Sequence, residues 1–551
     1  MPTTTPRSRA DLLRALRECA NRFDSDANAR RRDLLRALSK QPLPSGEALA
    51  DYHDVLLFTL AHPADAATLK QAEGDMARIA AQLKRLRNQR PAVPLDRGLP
   101  WVETVTRFTH DCIRWLLDHP HARVELKAFE EPVLDLNAVL KLTLPTLERN
   151  ETTASLDNAA LMDALKVKPD PTARLAFLVG ELSRLDALPF AKDQLFDALD
   201  AYVRVIPTHA AFSKAYNRLA LAQAVFLQPD LLRRFDPTGL MNQALPPARA
   251  MDAEARHHAI RVLKNTMALT SRETDPASYL DADSLRLYDL ERGLTCAIFG
   301  MTPDRQLPLE SYVGFTLFKN GFPVAYGGSW VIGERAAFGM NIFEPFRGGE
   351  SGYMMCQVLR TYRQAFGVRY FEVDAHQFGL DNPDGISSGA FWFYFRHGFR
   401  PLSAELLKLS LQEKERLDKT PGTRSSEKTL LRFTASNVAL NFGGPVPPHL
   451  FDVTTRVTKL IAARYRGDRN AAEAECSTAF AKTARLGARL NADERRVLAE
   501  VALIWRALQV ADADGTRLLA RMVRTKPKDV FAYQKLLLAF FATPRIRHAA
   551  N

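Results

Sequence analysis

The chain has 551 residues, of which 46% are hydrophobic and 25% charged, and its formal net charge is +12. This composition is typical of folded rather than disordered proteins. No run of about eighteen apolar residues occurs, and the start "MPTTTPRSRADLLRAL" lacks the apolar core of a secretory signal. The five cysteines are scattered and have no CxxC spacing, which argues against disulfides and a zinc site. We therefore expect a cytoplasmic protein with no transmembrane segment.

Residues 8 to about 250 show the periodicity of amphipathic helices almost throughout. In "RADLLRALRECANRF" the apolar residues Leu12, Leu16 and Phe23 fall on one face. The segments "AKDQLFDALDAYVRVI" and "AFSKAYNRLALAQAVFL" have a similar pattern, and breaks such as "QPLPSG" separate these segments. We therefore predict an all-helical N-terminal region over residues 1–245.

The pattern becomes mixed from residue 246. "SYVGFTLFKNGFPVAYGGSWVIG" predicts a β-hairpin with a tight turn at Asn320-Gly321. Further strands are predicted at "LTCAIFG", "AAFGMNIF", "VRYFEVDA" and "EKTLLRFTA", and helices at "SGYMMCQVLRTYRQAFG", "AFWFYFRHGF" and "AELLKLSLQEKERLDK". From about residue 450 the helical pattern returns. We predict an α/β domain over residues 246–449 and a helical region over residues 450–551.

A glycine-rich turn, "FRGGESG", joins the strand "AAFGMNIF" to the next helix. Free N–H groups and the dipole at a helix N-terminus attract anions, and Arg347 adds a positive charge while Gly348, Gly349 and Gly352 permit close approach. A tight connection that binds no ligand explains the same glycines. The turn alone leaves both interpretations open.

Two motifs together are more specific. Ala390, Phe393, Tyr394, Gly398 and Phe399 match the pattern Ala-x-x-Phe-Tyr-x-x-x-Gly-Phe, and Arg347 and Gly352 match the ends of (Arg/Gln)-x-x-Gly-x-(Gly/Ala). With the order of elements, they make residues 251–440 resemble the GNAT superfamily of acyl-CoA N-acyltransferases. The resemblance implies a mixed, mostly antiparallel sheet with helices on both faces. Glu350 departs from it, since the family usually has glycine there, and the interval from Asn382 to Tyr394 is longer than usual.

The resemblance also implies a donor site for acyl-CoA, with acetyl-CoA as the default, and no metal. Asn341, Ile342 and Phe343 would bind the pantetheine amides through their backbone. The diphosphate would lie on Arg347, Gly348, Gly349, Glu350, Ser351 and Gly352. Asn382, followed by Pro383, stands where the family has an Asn-Pro pair.

The same resemblance assigns Tyr394 as the acid that protonates the leaving thiolate. The strand "VRYFEVDAH" offers the base, because a period of two puts Glu372, Asp374 and His376 on one face. A structural ion pair with Arg369 or Arg363 explains these polar residues equally well. A carboxylate–histidine metal site lacks a third ligand with recognisable spacing.

The predicted function is therefore transfer of an acyl group from acyl-CoA to an unidentified amine. The alternative is a non-catalytic helical scaffold whose GNAT-like domain binds acyl-CoA, and a third possibility has aminoacyl-tRNA as the donor. The flanking regions are basic: residues 1–100 carry 17 basic and 12 acidic side chains (+5), and residues 451–551 carry 19 and 10 (+9). We expect these arms to bind the acceptor, a polyanion or a protein partner, although solvated helix faces explain the charge as well.

Overall fold

The computed structural model describes residues 8–87, 93–153, 156–226, 231–272, 275–420, 422–487 and 489–543. The first seven residues, which begin the stretch in which the sequence predicts no secretory signal, lie outside these ranges. Within them, no helix combines the length and apolarity needed to cross a membrane.

Four amphipathic helices come first: α1 (Arg9–Cys19), α2 (Ser25–Ser39), α3 (Glu47–Ala61) and α4 (Ala66–Leu86). Ser8, Asp24 and Asp65 cap three of them, each accepting a hydrogen bond from the backbone N–H three residues on. The apolar faces of these helices belong to the same core as the central sheet, so that Leu16 is buried in one cluster with Phe315.

The prediction that residues 1–245 are all helical is wrong, because they contain a three-stranded antiparallel sheet. Its strands are β1 (Thr104–Arg107), β2 (Ala122–Phe129) and β3 (Ala201–Pro207), with β3 in the middle. The sequence predicts a helix through "AYVRVI", but the helix ends at Asp197 and Asp200 has a positive φ of 47°. Val203 and Val205 then alternate with less buried residues, as in a half-buried strand.

Helices surround this small sheet and lead to the central domain. They are α5 (His110–Leu117), α6 (Leu136–Thr143), α7 (Asn158–Ala164), α8 (Pro171–Leu182), α9 (Pro189–Asp197), α10 (Pro237–Asn242), α11 (Ala253–Thr270) and α12 (Asp275–Ser278). Residues 211–226, predicted to be helical, contain no helix.

An eight-stranded sheet forms the central domain. Its strands are β4 (Arg286–Asp289), β5 (Leu294–Phe299), β6 (Ser311–Lys319), β7 (Phe322–Ile332), β8 (Arg335–Ile342), β9 (Tyr370–Val373), β10 (Arg400–Pro401) and β11 (Val438–Asn441). The spatial order is β10-β11-β9-β8-β7-β6-β5-β4, antiparallel except between β8 and β9. The predicted mixed, mostly antiparallel sheet is confirmed, and so is the turn at Asn320-Gly321, where both residues have positive φ.

Helices cover both faces of the sheet. The later helices of this domain are α13 (Ser351–Phe366), α14 (Pro383–Ser388), α15 (Ala390–Arg396), α16 (Ala404–Lys419) and α17 (Glu427–Phe433). Along β5, Cys296 and Ile298 share the core that contains α13, whereas Ala297 and Phe299 pack in a second cluster with residues of α11. This alternation follows from the period of two along a strand.

The predicted closing strand "EKTLLRFTA" is wrong, because residues 427–433 form the helix α17. Ser426 accepts a hydrogen bond from the N–H of Thr429 and caps it. The last strand of the sheet lies further on, at β11, and pairs with β9 and β10.

The helical C-terminal region is confirmed over the residues described. It consists of α18 (Leu450–Tyr465), α19 (Arg469–Thr483), α20 (Ala492–Ala507), α21 (Ala513–Thr525) and α22 (Val530–Ala542). The helix α22 docks on the central domain: the Tyr533 hydroxyl donates a hydrogen bond of 2.5 Å to the carbonyl of Leu309, and Phe531 stacks on Phe366 with ring centroids 4.8 Å apart.

Candidate functional site

The parallel strands β8 and β9 separate after a short pairing. Their register covers only Arg335, Ala336 and Ala337 on β8 against residues 370–372 of β9. Beyond Ala337, β8 continues to Ile342 and stays paired with β7 on its other side. The sheet therefore opens at the C-terminal ends of β8 and β9, where ligands tend to bind in open α/β sheets.

Backbone groups of β8 are directed into this opening. Phe343 donates its N–H to the carbonyl of Val324 on β7, and backbone direction alternates along a strand. Asn341 and Phe343 therefore bond to β7, whereas Met340 and Ile342 point toward the side that β9 has left. Of the three predicted pantetheine contacts, only Ile342 has its backbone on the open side, and Met340, which the prediction omitted, joins it. The side chain of Gln377 lies close by, 3.6 Å from where a Cβ on Gly339 would lie.

The glycine-rich turn follows β8 at this open end, and the N-terminal helices contact it. A Cβ on Gly348 would lie 3.2 Å from Nδ2 of Asn21, and one on Gly349 would lie 3.3 Å from Nε2 of His62. Arg347 is exposed, and its Nε donates a weak hydrogen bond of 3.4 Å to the carbonyl of Ile342. The turn thus has one face packed against α1–α3 and another, carrying Arg347 and Gly348, open to solvent.

Glu350 does not bring its charge to the open face. Its carboxylate is buried, with Oε2 2.9 Å from Nζ of Lys319 and Oε1 accepting hydrogen bonds of 2.8 Å from Nε of Arg292 and from the N–H of Leu232. Burial alone would raise the pKa of Glu350, but Lys319, Arg292 and the N–H of Leu232 outweigh it and hold that pKa below its ordinary value. The carboxylate is therefore ionised, and the cations of Lys319 and Arg292 balance its charge inside the protein.

His62 lies in the same interior. The ring is fully buried, stacks on Phe58 and has its Nδ1 3.2 Å from the carbonyl of Phe58. Its Nε2 has no hydrogen-bond partner among the residues described. Burial lowers the pKa of His62 to about 3, and the cation of Lys319 acts in the same direction, so the imidazole is neutral at physiological pH.

The start of α13 is also tightly packed. Ser351 is the first residue of the helix, and a Cβ on Gly352 would lie 2.3 Å from Nε2 of His397. His397 places its Nδ1 2.7 Å from the carbonyl of Phe393. Glycine at position 352 thus leaves room for the imidazole of His397 where α15 approaches α13, which is a packing reason for this part of the motif.

Tyr394 is almost fully buried on α15. Its ring contacts those of Phe378 and Phe399, with centroids 6.4 Å and 5.5 Å away. Within the described part of the chain its hydroxyl forms no hydrogen bond, and burial raises its pKa well above the ordinary value. A tyrosine hydroxyl that forms no hydrogen bond in an otherwise buried side chain is unusual and is open to a ligand that reaches it.

The neighbouring aromatic residues pack in the core. Phe391 stacks on Phe433 with centroids 3.9 Å apart, and Trp392 donates its Nε1–H to Oγ of Ser425 at 2.9 Å. Phe391 and Phe395 are almost fully buried. This density of aromatic side chains fills the space between α15 and α17.

Glu372 is held in a structural ion pair. Arg335 on β8 donates to its Oε2, and Nδ2 of Asn437 donates to its Oε1 at 2.7 Å. Both partners of the ion pair are only 10% exposed. The ion-pair interpretation is thus the one observed, but with Arg335 rather than Arg369, which pairs with Glu334.

Asp374 and His376 leave the strand, since β9 ends at Val373. Asp374 caps a short 3-10 helix (Ala375–Phe378) by accepting the N–H of His376, and both side chains are exposed. Nδ1 of His376 lies 2.8 Å from the carbonyl of Leu380. The alternation predicted for residues 371–376 therefore stops after Val373, and Asp374 and His376 are not on one strand face with Glu372.

Asn382 lies apart from the turn. It caps α14 and donates from Nδ2 to the carbonyl of His376 at 2.8 Å. Asn382 also lines a cleft of about 1230 Å³ between α14, α15, α16 and α17, together with Trp392 and Phe395. Asn382 thus shapes the loop after β9 and one wall of this cleft.

Several residues of the site could not be identified from the sequence. Lys319, Arg292, Asn21, His62 and Arg335 come from distant segments, and only the fold brings them to the turn or to β9. Over the ranges described, no group of three or more His, Cys, Asp or Glu side chains could hold a metal ion.

Comparisons of the chain with protein-family models, with curated proteins and with solved structures find no match.

Proposed function

We propose that the chain is an acyl-CoA-dependent N-acyltransferase in which an amine attacks the thioester directly. The observation that supports this most is the opening between β8 and β9. There, the backbone N–H groups of Met340 and Ile342 face the opening and could pair with an extended ligand that carries amide groups, as the pantetheine arm does, while the carbonyl of Ile342 already accepts the weak hydrogen bond from Arg347. The glycine-rich turn and the start of α13 lie at the same end.

The donor's diphosphate would lie on the open face of the turn. Arg347 supplies a charge there, and Nδ2 of Asn21 lies next to Gly348. Arg233 belongs to the same surface, because it donates to the carbonyl of Asn21 at 3.3 Å. With Glu350 neutralised in the interior, this face is cationic, which favours a diphosphate.

In the proposed reaction the amine lone pair attacks the thioester carbonyl carbon, the C–S bond breaks, and the thiolate takes a proton. Tyr394 is the proposed donor of that proton, because its hydroxyl forms no hydrogen bond with the residues that the structure describes. The proton lost by the amine would pass to Asp374 or His376, which are exposed at the end of β9. Glu372 is the weaker base candidate, because Arg335 and Asn437 occupy its carboxylate.

A second candidate function, an acyl-CoA-binding scaffold without catalysis, has its own support. The burial of Tyr394 raises the pKa of its hydroxyl far above that of a good proton donor at neutral pH, and α1–α3 cover one face of the turn. Both functions predict acyl-CoA binding. They differ in whether thiol is released when an amine is added.

The experiment is a calorimetric titration of the full chain with acetyl-CoA and longer acyl-CoAs, followed by an assay of free thiol release with a panel of amines. Arg347→Glu should abolish binding, whereas the matched control Arg469→Glu, an exposed arginine at the start of α19, should retain it. Binding with thiol release supports the transferase, and binding without release supports the scaffold. Absence of binding by the wild-type chain would reject both.

A further inference from the structure

A cluster of basic side chains covers one side of the C-terminal helices. On α21, Arg517, Arg521 and Arg524 are exposed and follow one another at intervals of four and three residues, so they share a face about 10 Å long. The opposite face carries Leu519, Met522 and Val523, which are buried against the other helices. The basic face is therefore fixed outward by the packing of α21.

A loop extends this face. Gly487, in the connection between α19 and α20, would place a Cβ 4.0 Å from a terminal nitrogen of Arg524. Arg485 and Arg489, on either side of that glycine, are exposed, and Lys528 follows α21. We call Arg485, Arg489, Arg517, Arg521, Arg524 and Lys528 the arginine patch.

Few carboxylates balance this charge. Asp514 pairs with Arg517 at 3.0 Å, and Glu494, which is itself buried, pairs with Lys528 at 3.1 Å. Over the ranges that the structure describes, Arg485, Arg489, Arg521 and Arg524 form no ion pair. Among the described residues, the exposed guanidinium groups of Arg485, Arg489 and Arg521 thus have no ion-pair partner, whereas that of Arg524 interacts electrostatically with the carboxylate of Glu494.

We propose that the arginine patch binds the phosphate backbone of a nucleic acid. Guanidinium groups contact phosphates through two parallel hydrogen bonds and are weakly hydrated, which makes arginine the preferred residue for this contact. Six cations in one patch would release several counterions and give sequence-independent binding that weakens with salt.

The surroundings of the patch favour nucleic acid over a lipid surface. Helices that bind anionic membranes also insert large apolar side chains beside their basic face. Among the described residues of α19 to α22 and their connections, no large hydrophobic side chain is exposed, and the exposed Phe451 belongs to the start of α18, which carries none of the patch residues. The patch offers charge without an apolar anchor.

The test uses the full chain and measures the fluorescence anisotropy of labelled duplex DNA and duplex RNA of mixed sequence over a range of salt concentrations. The wild-type chain should bind at low salt, and the plot of log affinity against log salt should be steep and linear. In Arg521→Ala/Arg524→Ala the magnitude of that slope should fall by about two. The control Lys459→Ala/Arg469→Ala removes two exposed cations from α18 and the far end of α19 and should keep the wild-type slope.

The substituted side chains are exposed, so thermal unfolding should be the same in all three proteins, and a loss of binding can then be read as a loss of contacts. The proposal is overturned if the wild-type chain binds neither duplex at low salt. It is also overturned if the patch variant keeps the wild-type slope, if the control loses as much as the patch variant, or if the chain binds phosphatidylserine vesicles but neither duplex.

Discussion

Glu350 and Lys319 form a buried ion pair beneath the glycine-rich turn, with 2.9 Å between Oε2 and Nζ and each side chain only 1% exposed. The pair joins the turn before α13 to the end of β6. It also explains how a carboxylate can occupy a position where the resemblance leads one to expect glycine. The side chain of Glu350 points into the interior, and the ammonium of Lys319 balances its charge.

Breaking this pair should destabilise the protein strongly. Glu350→Gln removes the carboxylate that Lys319 and Arg292 share and leaves the ammonium of Lys319 buried near the cation of Arg292, and such a change typically costs about 3–5 kcal/mol. The control Asp33→Asn breaks an exposed pair with Arg36, which should cost no more than about 1 kcal/mol. Urea denaturation of both variants gives the comparison. Equal losses would mean that the buried pair contributes no more than a surface one.

His62 should make stability depend on pH. Because burial holds its folded pKa at about 3, below the ordinary 6.5, the unfolded chain takes up a proton first when the pH falls. The stabilisation is therefore complete above about pH 6.5 and is lost toward pH 3, at up to about 1.4 kcal/mol per pH unit.

His62→Gln should accordingly flatten the dependence of the unfolding free energy on pH between 6.5 and 5, whereas His257→Gln, at an exposed position, should leave it as in the wild type. Denaturant titrations at several pH values measure this slope. A slope that His62→Gln does not change would show that His62 is not the group that titrates.

The variant Tyr394→Phe distinguishes a catalytic role of the Tyr394 hydroxyl from a packing role of its ring. The hydroxyl has no partner among the residues described, so its removal should leave the melting temperature almost unchanged, while loss of a general acid lowers turnover by about 10²–10⁴-fold. Tyr362→Phe provides the contrast, since its hydroxyl donates to the carbonyl of Val313 at 2.5 Å. That variant should lose about 0.5–1.5 kcal/mol of stability and keep its turnover. Near-full turnover by Tyr394→Phe would make Tyr394 a packing residue.

The isolated fragment of residues 246–449 should not fold cooperatively. Leu16 and Leu56 of the N-terminal helices share a core with Phe315, and Tyr533 and Phe531 of α22 cover Leu309 and Phe366. The fragment would expose all these contacts. Near-ultraviolet circular dichroism and thermal unfolding, compared with the full chain, measure this. A sharp unfolding transition in the fragment would show that the central sheet is an independent unit.

Local sequence patterns predicted those strands and turns whose formation depends on neighbouring residues alone. The turn at Asn320-Gly321 and the strand at residues 294–299 follow from alternation and turn chemistry, and both are observed. The sequence does not predict β3 because "AYVRVI" follows a helical pattern without a proline or glycine break, although the helix ends at Asp197 and Asp200 adopts a positive φ before the strand. Residues 427–433 were misassigned because a short apolar run fits a strand and a buried helix equally well.

The candidate site depended on contacts that no local pattern contains. The motif positions Arg347 and Tyr394 could be identified from the sequence, but the inward turn of Glu350 depends on Lys319 and Arg292, and the state of Glu372 depends on Arg335. The contact of Asn21 and His62 with the turn joins residues separated by hundreds of positions. Such pairings are set by the packing of whole elements.

Hydrogen exchange at single amides tests the central claim, acyl-CoA binding between β8 and β9, most directly. Exchange of the full chain would be followed by mass spectrometry with electron-transfer fragmentation, with and without acetyl-CoA. We predict that acetyl-CoA slows exchange at Met340 and Ile342, whose N–H groups face the opening, and leaves Asn341 and Phe343, which bond to β7, almost unchanged. Exchange at Met340 and Ile342 that is the same with and without saturating acetyl-CoA would contradict the proposed donor site.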